Sequence, residues 1–78
     1  MPDRKWGLRI RDILASIERI IKYTGKMDFE QFRSDTKTVD AVVRNFEIVG
    51  EAAAHVPEEI VDDHPEIPWQ DMRDMRNV

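Results

Sequence analysis

The sequence predicts an all-α fold: an antiparallel helical bundle of two long helices, two short ones and the start of a further helix. Three observations lead there. Apolar residues recur at steps of three and four through two long stretches, the spacing that lines one face of a helix. No stretch of useful length alternates polar and apolar residues with the period of two that a half-buried strand requires. Three of the four prolines, Pro57, Pro65 and Pro68, fall in one connecting stretch, where a helix has to be interrupted.

The first long helix is expected from Asp3 to Thr24, with Trp6, Ile10, Ile13, Leu14, Ile17, Ile20 and Ile21 forming its stripe. Pro2 and Asp3 suit its start, and Gly25 suits a left-handed cap at its end. In "MDFEQFRSD", Asp28 can cap a short helix whose Phe29 and Phe32 plug the end of the bundle. Ser34 and Asp35 offer cap chemistry for the second long helix, Thr36 to His55, with an apolar stripe of Val39, Val42, Val43, Phe46, Val49, Gly50, Ala53 and Ala54. Asp40 and Arg44 have the spacing of a helical ion pair. Burying the stripe Ile10, Ile13, Ile17 and Ile20 against Val39, Val43, Phe46 and Ala53 is the simplest use of both faces.

Gly50 inside "IVGEAAAH" costs about 1 kcal/mol of helix propensity relative to alanine, so another backbone is expected to approach it closely. With Ala53 and Ala54 it forms a small-residue groove, suited to tight packing within one subunit or to a subunit interface. Pro57 starts a second short helix with Glu58 and Glu59 in its first turn, and that helix ends before Pro65. Pro68, as the first helical residue, starts the final helix, on which Trp69, Met72 and Met75 follow a three-residue step.

Seventy-eight residues make a single domain, 1–78, with a thin core and no cysteine to staple it. No signal-peptide pattern opens the chain and charges interrupt every apolar run, so a cytoplasmic location is expected. The net charge of −4 argues against a general nucleic-acid binder, but it is unevenly spread. Residues 1–26 carry +4, seven Lys/Arg against three acids, and the remainder carries −8. Such a basic first helix serves either as a solvated face complementing an acidic neighbour or as a guide for a polyanion.

The "DDHPE" stretch, with Asp62, Asp63, His64 and Glu66, lacks the spacing of a metal site, so no metal and no cofactor are expected. His55 reads as an exposed helix-end residue and His64 as a loop residue. No Gly-rich phosphate loop, serine elbow or cysteine nucleophile is present. Trp6 and Trp69 suit a core or interface better than a base-stacking platform. The remaining candidates for chemistry are Arg76 and Asn77, since an arginine can grip a phosphate through two parallel hydrogen bonds while the amide beside it orients the group.

Three stretches, "RIRDILASIERI", "VVRNFEIVGEAAAHVPEEI" and "HPEIPWQDMRDMRNV", together resemble the HepT-like toxin family of the HEPN helical superfamily, and the resemblance spans the chain. It implies a HEPN-like bundle and a metal-independent endoribonuclease that acts as a homodimer. The implied partner is an MntA-like nucleotidyltransferase antitoxin, and the implied substrate is RNA. The family motif is an arginine, four to six residues, a histidine, and a tyrosine two positions further on. Arg76 matches its arginine and Asn77 the polar residue that follows, the two implied catalytic residues. Against that motif the chain is expected to be truncated before the histidine and tyrosine, and to be inactive as it stands. The dimer implied would bring Arg76 of both copies toward one cleft. The alternative is a non-catalytic helical module for dimerisation or for docking on the nucleotidyltransferase.

Overall fold

The computed structural model describes residues 5–77, which form five α-helices and a closing 3₁₀ turn, with no strand among the described residues. Helix α1 is Lys5–Thr24; the expected start at Pro2 and Asp3 lies outside the described residues. Its last turn closes when the Thr24 hydroxyl donates to the Ile20 carbonyl at 2.7 Å. Gly25 does not adopt the expected left-handed conformation, since no described residue has positive φ. It is there for room: a Cβ at Gly25 would lie 2.8 Å from the Ile21 carbonyl oxygen.

Helix α2, Phe29–Ser34, is held by a capping box. The Asp28 carboxylate accepts from the Gln31 N–H at 2.8 Å and the Gln31 side chain accepts from the Asp28 N–H at 2.9 Å. The expected plug is not made. Phe29 is 71% exposed and α2 buries no residue, because so short a helix turns only one narrow side inward and that side carries the half-buried Phe32.

Helix α3, Thr36–Ala54, opens on Asp35, whose carboxylate accepts from the Thr38 N–H at 3.1 Å. Helix α4, Glu58–Asp63, follows Pro57 as expected. Helix α5, Trp69–Asp74, has Pro68 as its cap rather than as its first helical residue. The final helix also does not run on as one α-helix. The Met75 N–H bonds to the Met72 carbonyl, three residues back, and Met75–Asn77 tightens into a 3₁₀ turn.

Helices α1 and α3 run antiparallel. Arg9 and Asp12 share a cavity wall with Glu47 and Glu51, whereas Arg19 and Tyr23, further along α1, face Ala41 and Asn45, further back on α3. The core at the end of this hairpin is Ile13, Val49, Ala52 and Ala53, joined by Ile10, Met72 and Met75. The expected stripes do meet, but rotated. Val42 and Val49 are buried where Val39, Val43 and Phe46 are only half-buried, and Ile17 lies at the solvent edge. Seven apolar positions on α1 make a stripe wider than α3 can cover, so Leu14 and Ile21, 58% and 62% exposed, stay in solvent. Trp69 is buried, its Nε1–H donating to the His64 carbonyl at 3.0 Å, while Trp6 lies at the surface. Among the described residues no helix is long and apolar enough to cross a membrane.

Candidate active site

The site begins at Gly50. A Cβ placed there would fall 2.5 Å from the Arg76 nitrogen, 2.8 Å from the Arg76 Cβ and 3.1 Å from the Arg73 carbonyl oxygen. The glycine in mid-helix is thus explained by the close backbone approach expected for it, and the approaching segment is the chain's own. Gly50 and Ala53 are therefore buried within one subunit, whereas Ala54 is exposed.

Arg73 fastens that segment. Its Nε donates at 3.4 Å to the Ala53 carbonyl, which also accepts from the Val56 N–H at 3.3 Å at the end of α3, and its Nη2 donates to Glu58 at 3.3 Å. The side chain is only 24% exposed, so it works as a strap between α5 and the α3–α4 corner. The strapping role of Arg73 is not legible in the sequence, where only Arg76 is marked by the family resemblance.

Strapped in this way, the 3₁₀ turn places Arg76 and Asn77 on the wall of an open cleft of about 560 Å³, together with Arg9 and Asp12 of α1 and Arg44 and Glu51 of α3. Arg76 is half exposed, its Nη1 3.7 Å from Glu51 Oε1, a loose surface pair that leaves most of the guanidinium's donors available. The other Glu51 oxygen is 3.3 Å from His55 Nδ1, which also lies 2.9 Å from the Glu51 carbonyl. Glu51 therefore links Arg76 to His55, an association that sequence spacing does not reveal. The expected pair of Asp40 with Arg44 is not formed: among the described residues Arg44 makes no ion pair. The reason is the cleft, which Arg44 lines on the flank of α3 facing α1.

Arg9, Arg44 and Arg76 thus converge on one cleft balanced by Asp12, Glu47 and Glu51. Guanidiniums at a concave wall can hold a carboxylate or a phosphate bidentately. His64 lies apart, at the end of α4, with Nδ1 3.4 Å from Glu66. Among the described residues no group of three or more His, Cys, Asp or Glu side chains is placed to hold a metal ion.

A helical hairpin with an arginine-bearing turn seated on a glycine of its second long helix defines a small α-helical domain with a cleft lined by both arginines and carboxylates. The chain belongs to the HepT-like family: the family model described as "Ribonuclease HepT-like" matches residues 13–78. Among curated proteins it is 36% identical over 77 residues to "Putative RNase MJ0127" of Methanocaldococcus jannaschii, covering 99% of this chain and 64% of that protein. It is 44% identical over 68 residues to "Probable ribonuclease HepT" of Thermococcus cleftensis, covering 87% of this chain and 62% of that protein. The chain therefore spans just under two thirds of the length of these relatives. No solved structure matches it.

Proposed function

We propose that the protein is an RNA-cleaving subunit of the HepT type, in which Arg76 grips the scissile phosphate and stabilises the charge that builds on it, while Asn77 orients the same group. The observation that carries this reading is the position of Arg76: on the wall of the cleft with Arg9 and Arg44, its backbone seated on Gly50. An endoribonuclease that uses the neighbouring 2'-hydroxyl as nucleophile needs a base for that proton and a cation for the phosphorane-like charge. Arg76 supplies the second. No metal is needed for either step, and RNA, a second copy of the chain and a nucleotidyltransferase antitoxin are the partners in this reading, in the cytoplasm. Self-association proceeds through the uncovered apolar flank of α1, because Gly50 and Ala53 are already buried within the subunit.

The test is cleavage of single-stranded RNA by protein expressed from its complete reading frame. Arg76→Ala is expected to lower the single-turnover rate by roughly 10²- to 10³-fold, the cost of removing one charge-stabilising donor. Undiminished cleavage by that variant would remove Arg76 from the chemistry. The exposed flank formed by Leu14, Ile17 and Ile21 supports a second reading, a helical module that pairs or docks without cutting. A protein that associates with its partner but has no nuclease activity in any form would favour it.

A further inference from the structure

Beside the Arg76 cleft lies a second cavity of about 360 Å³, lined by Arg19 and Tyr23 of α1 and by Ala41, Arg44, Asn45 and Ile48 of α3. The two share Arg44 and Ile48, so they adjoin along the α1–α3 seam. Their electrostatics differ. Three arginines in the first are balanced by three carboxylates, whereas the second has two arginines and no acidic residue on its wall. Among the described residues neither Arg19 nor Arg44 makes an ion pair. Tyr23, 39% exposed, stands one helical turn beyond Arg19 and offers a ring to the same space.

Asn45, 5% exposed, closes the wall between the two helices. Its Nδ2 donates to the Ala41 carbonyl at 2.8 Å, which fixes the orientation of the amide, and its Oδ1 is left buried without a hydrogen-bond partner. An unpaired buried acceptor costs about 1–3 kcal/mol, and this one has essentially no accessible surface, so it meets no ligand donor and Asn45 serves only as wall. Two unpaired cations and an aromatic face are together the complement of a nucleotide: phosphate for the arginines and the base face for the tyrosine.

We infer that Arg19, Tyr23 and Arg44 form a nucleotide subsite that holds RNA one or more residues away from the phosphate gripped by Arg76. Arg44, shared by the two cavities, bridges adjoining phosphates. The subsite sets where along a strand the Arg76 cleft is engaged, and so rests on the reading of this protein as an RNA-acting one. Its position also keeps it open. The subsite lies on the flank of α1 that carries Asp12, Arg19 and Tyr23, roughly half a turn around the axis from the apolar flank of Leu14, Ile17 and Ile21 that needs cover.

Fluorescence anisotropy with a labelled oligo(rA) of about twelve nucleotides, measured over a salt series on the protein from its complete reading frame, tests the inference. Arg19→Ala is expected to reduce the slope of log affinity against log salt by about 0.7, one single-strand phosphate contact. Tyr23→Ala is expected to weaken binding about 5- to 150-fold, the worth of one stacked base, without changing that slope. Both side chains are exposed, and circular dichroism of each variant confirms its fold. RNA binding by the unaltered protein that neither substitution changes would overturn the subsite and leave the Arg76 reading intact. Failure of the unaltered protein to bind RNA at all would overturn both.

Discussion

Gly50 is the residue on which the geometry of the candidate site depends most directly. It gives up helix propensity so that the Arg76 backbone can sit against α3, with no space for even a methyl group. Gly50→Ala would push the 3₁₀ turn outward or bend α3, an overpacking cost of about 1–3 kcal/mol that outweighs the propensity gained. Net of the roughly 1 kcal/mol of propensity gained, at most about 2 kcal/mol remains, which in a domain of this size lowers the melting temperature by up to roughly 15 °C, and calorimetry checks it. Ser16 is the opposite case: fully buried, its hydroxyl has no hydrogen-bond partner. Ser16→Ala removes an unsatisfied polar group and improves helix propensity, so stability is expected to rise by about 0.5–2 kcal/mol. A drop in urea midpoint would show that the hydroxyl has a partner after all.

At the scale of elements, local signals and tertiary packing divide the work, and the sequence discloses mostly the former. Asp28, Asp35 and Pro57 announce helix starts because capping is chemistry within three or four residues. The stripes on α1 and α3 are equally legible, since helical periodicity is a local property. Their rotation was not, because it is set by how α5 and the 3₁₀ turn occupy the C-terminal half of α3. The site divides in the same way. Arg76 and Asn77 stand out by family resemblance, but Arg9, Arg44 and Glu51 join them only through the crossing of two helices. A cap matters in proportion to what its helix buries. Asp35→Ala uncaps the helix that carries most of the core and is expected to cost about 1 kcal/mol, whereas Asp28→Ala uncaps a helix that buries nothing and should cost clearly less. Equal losses in chemical denaturation would contradict that ordering.

The molecule as a whole is less compact than its length allows. A globular domain of 78 residues has a radius of gyration near 11–12 Å, but this chain has 14.0 Å and extends 44 Å along its long axis. The excess reflects a hairpin with one flank uncovered: Leu14, Ile17 and Ile21 lie along α1 in solvent, with the half-buried Val39, Val43 and Phe46 on α3. At roughly 25 cal/mol per Å² of apolar area, hiding a few hundred Å² contributes several kcal/mol, as much as the entire stability of many small domains. The 78-residue polypeptide is therefore expected to self-associate through this flank, and sedimentation equilibrium at micromolar concentration should report twice its 9.2 kDa mass. Leu14→Glu combined with Ile21→Glu puts two charges on the flank without touching the buried core, so the pair should shift the equilibrium to monomer while the helical circular dichroism persists. A monomer in the unaltered chain, or a dimer indifferent to both charges, would mean that the flank is not what holds copies together.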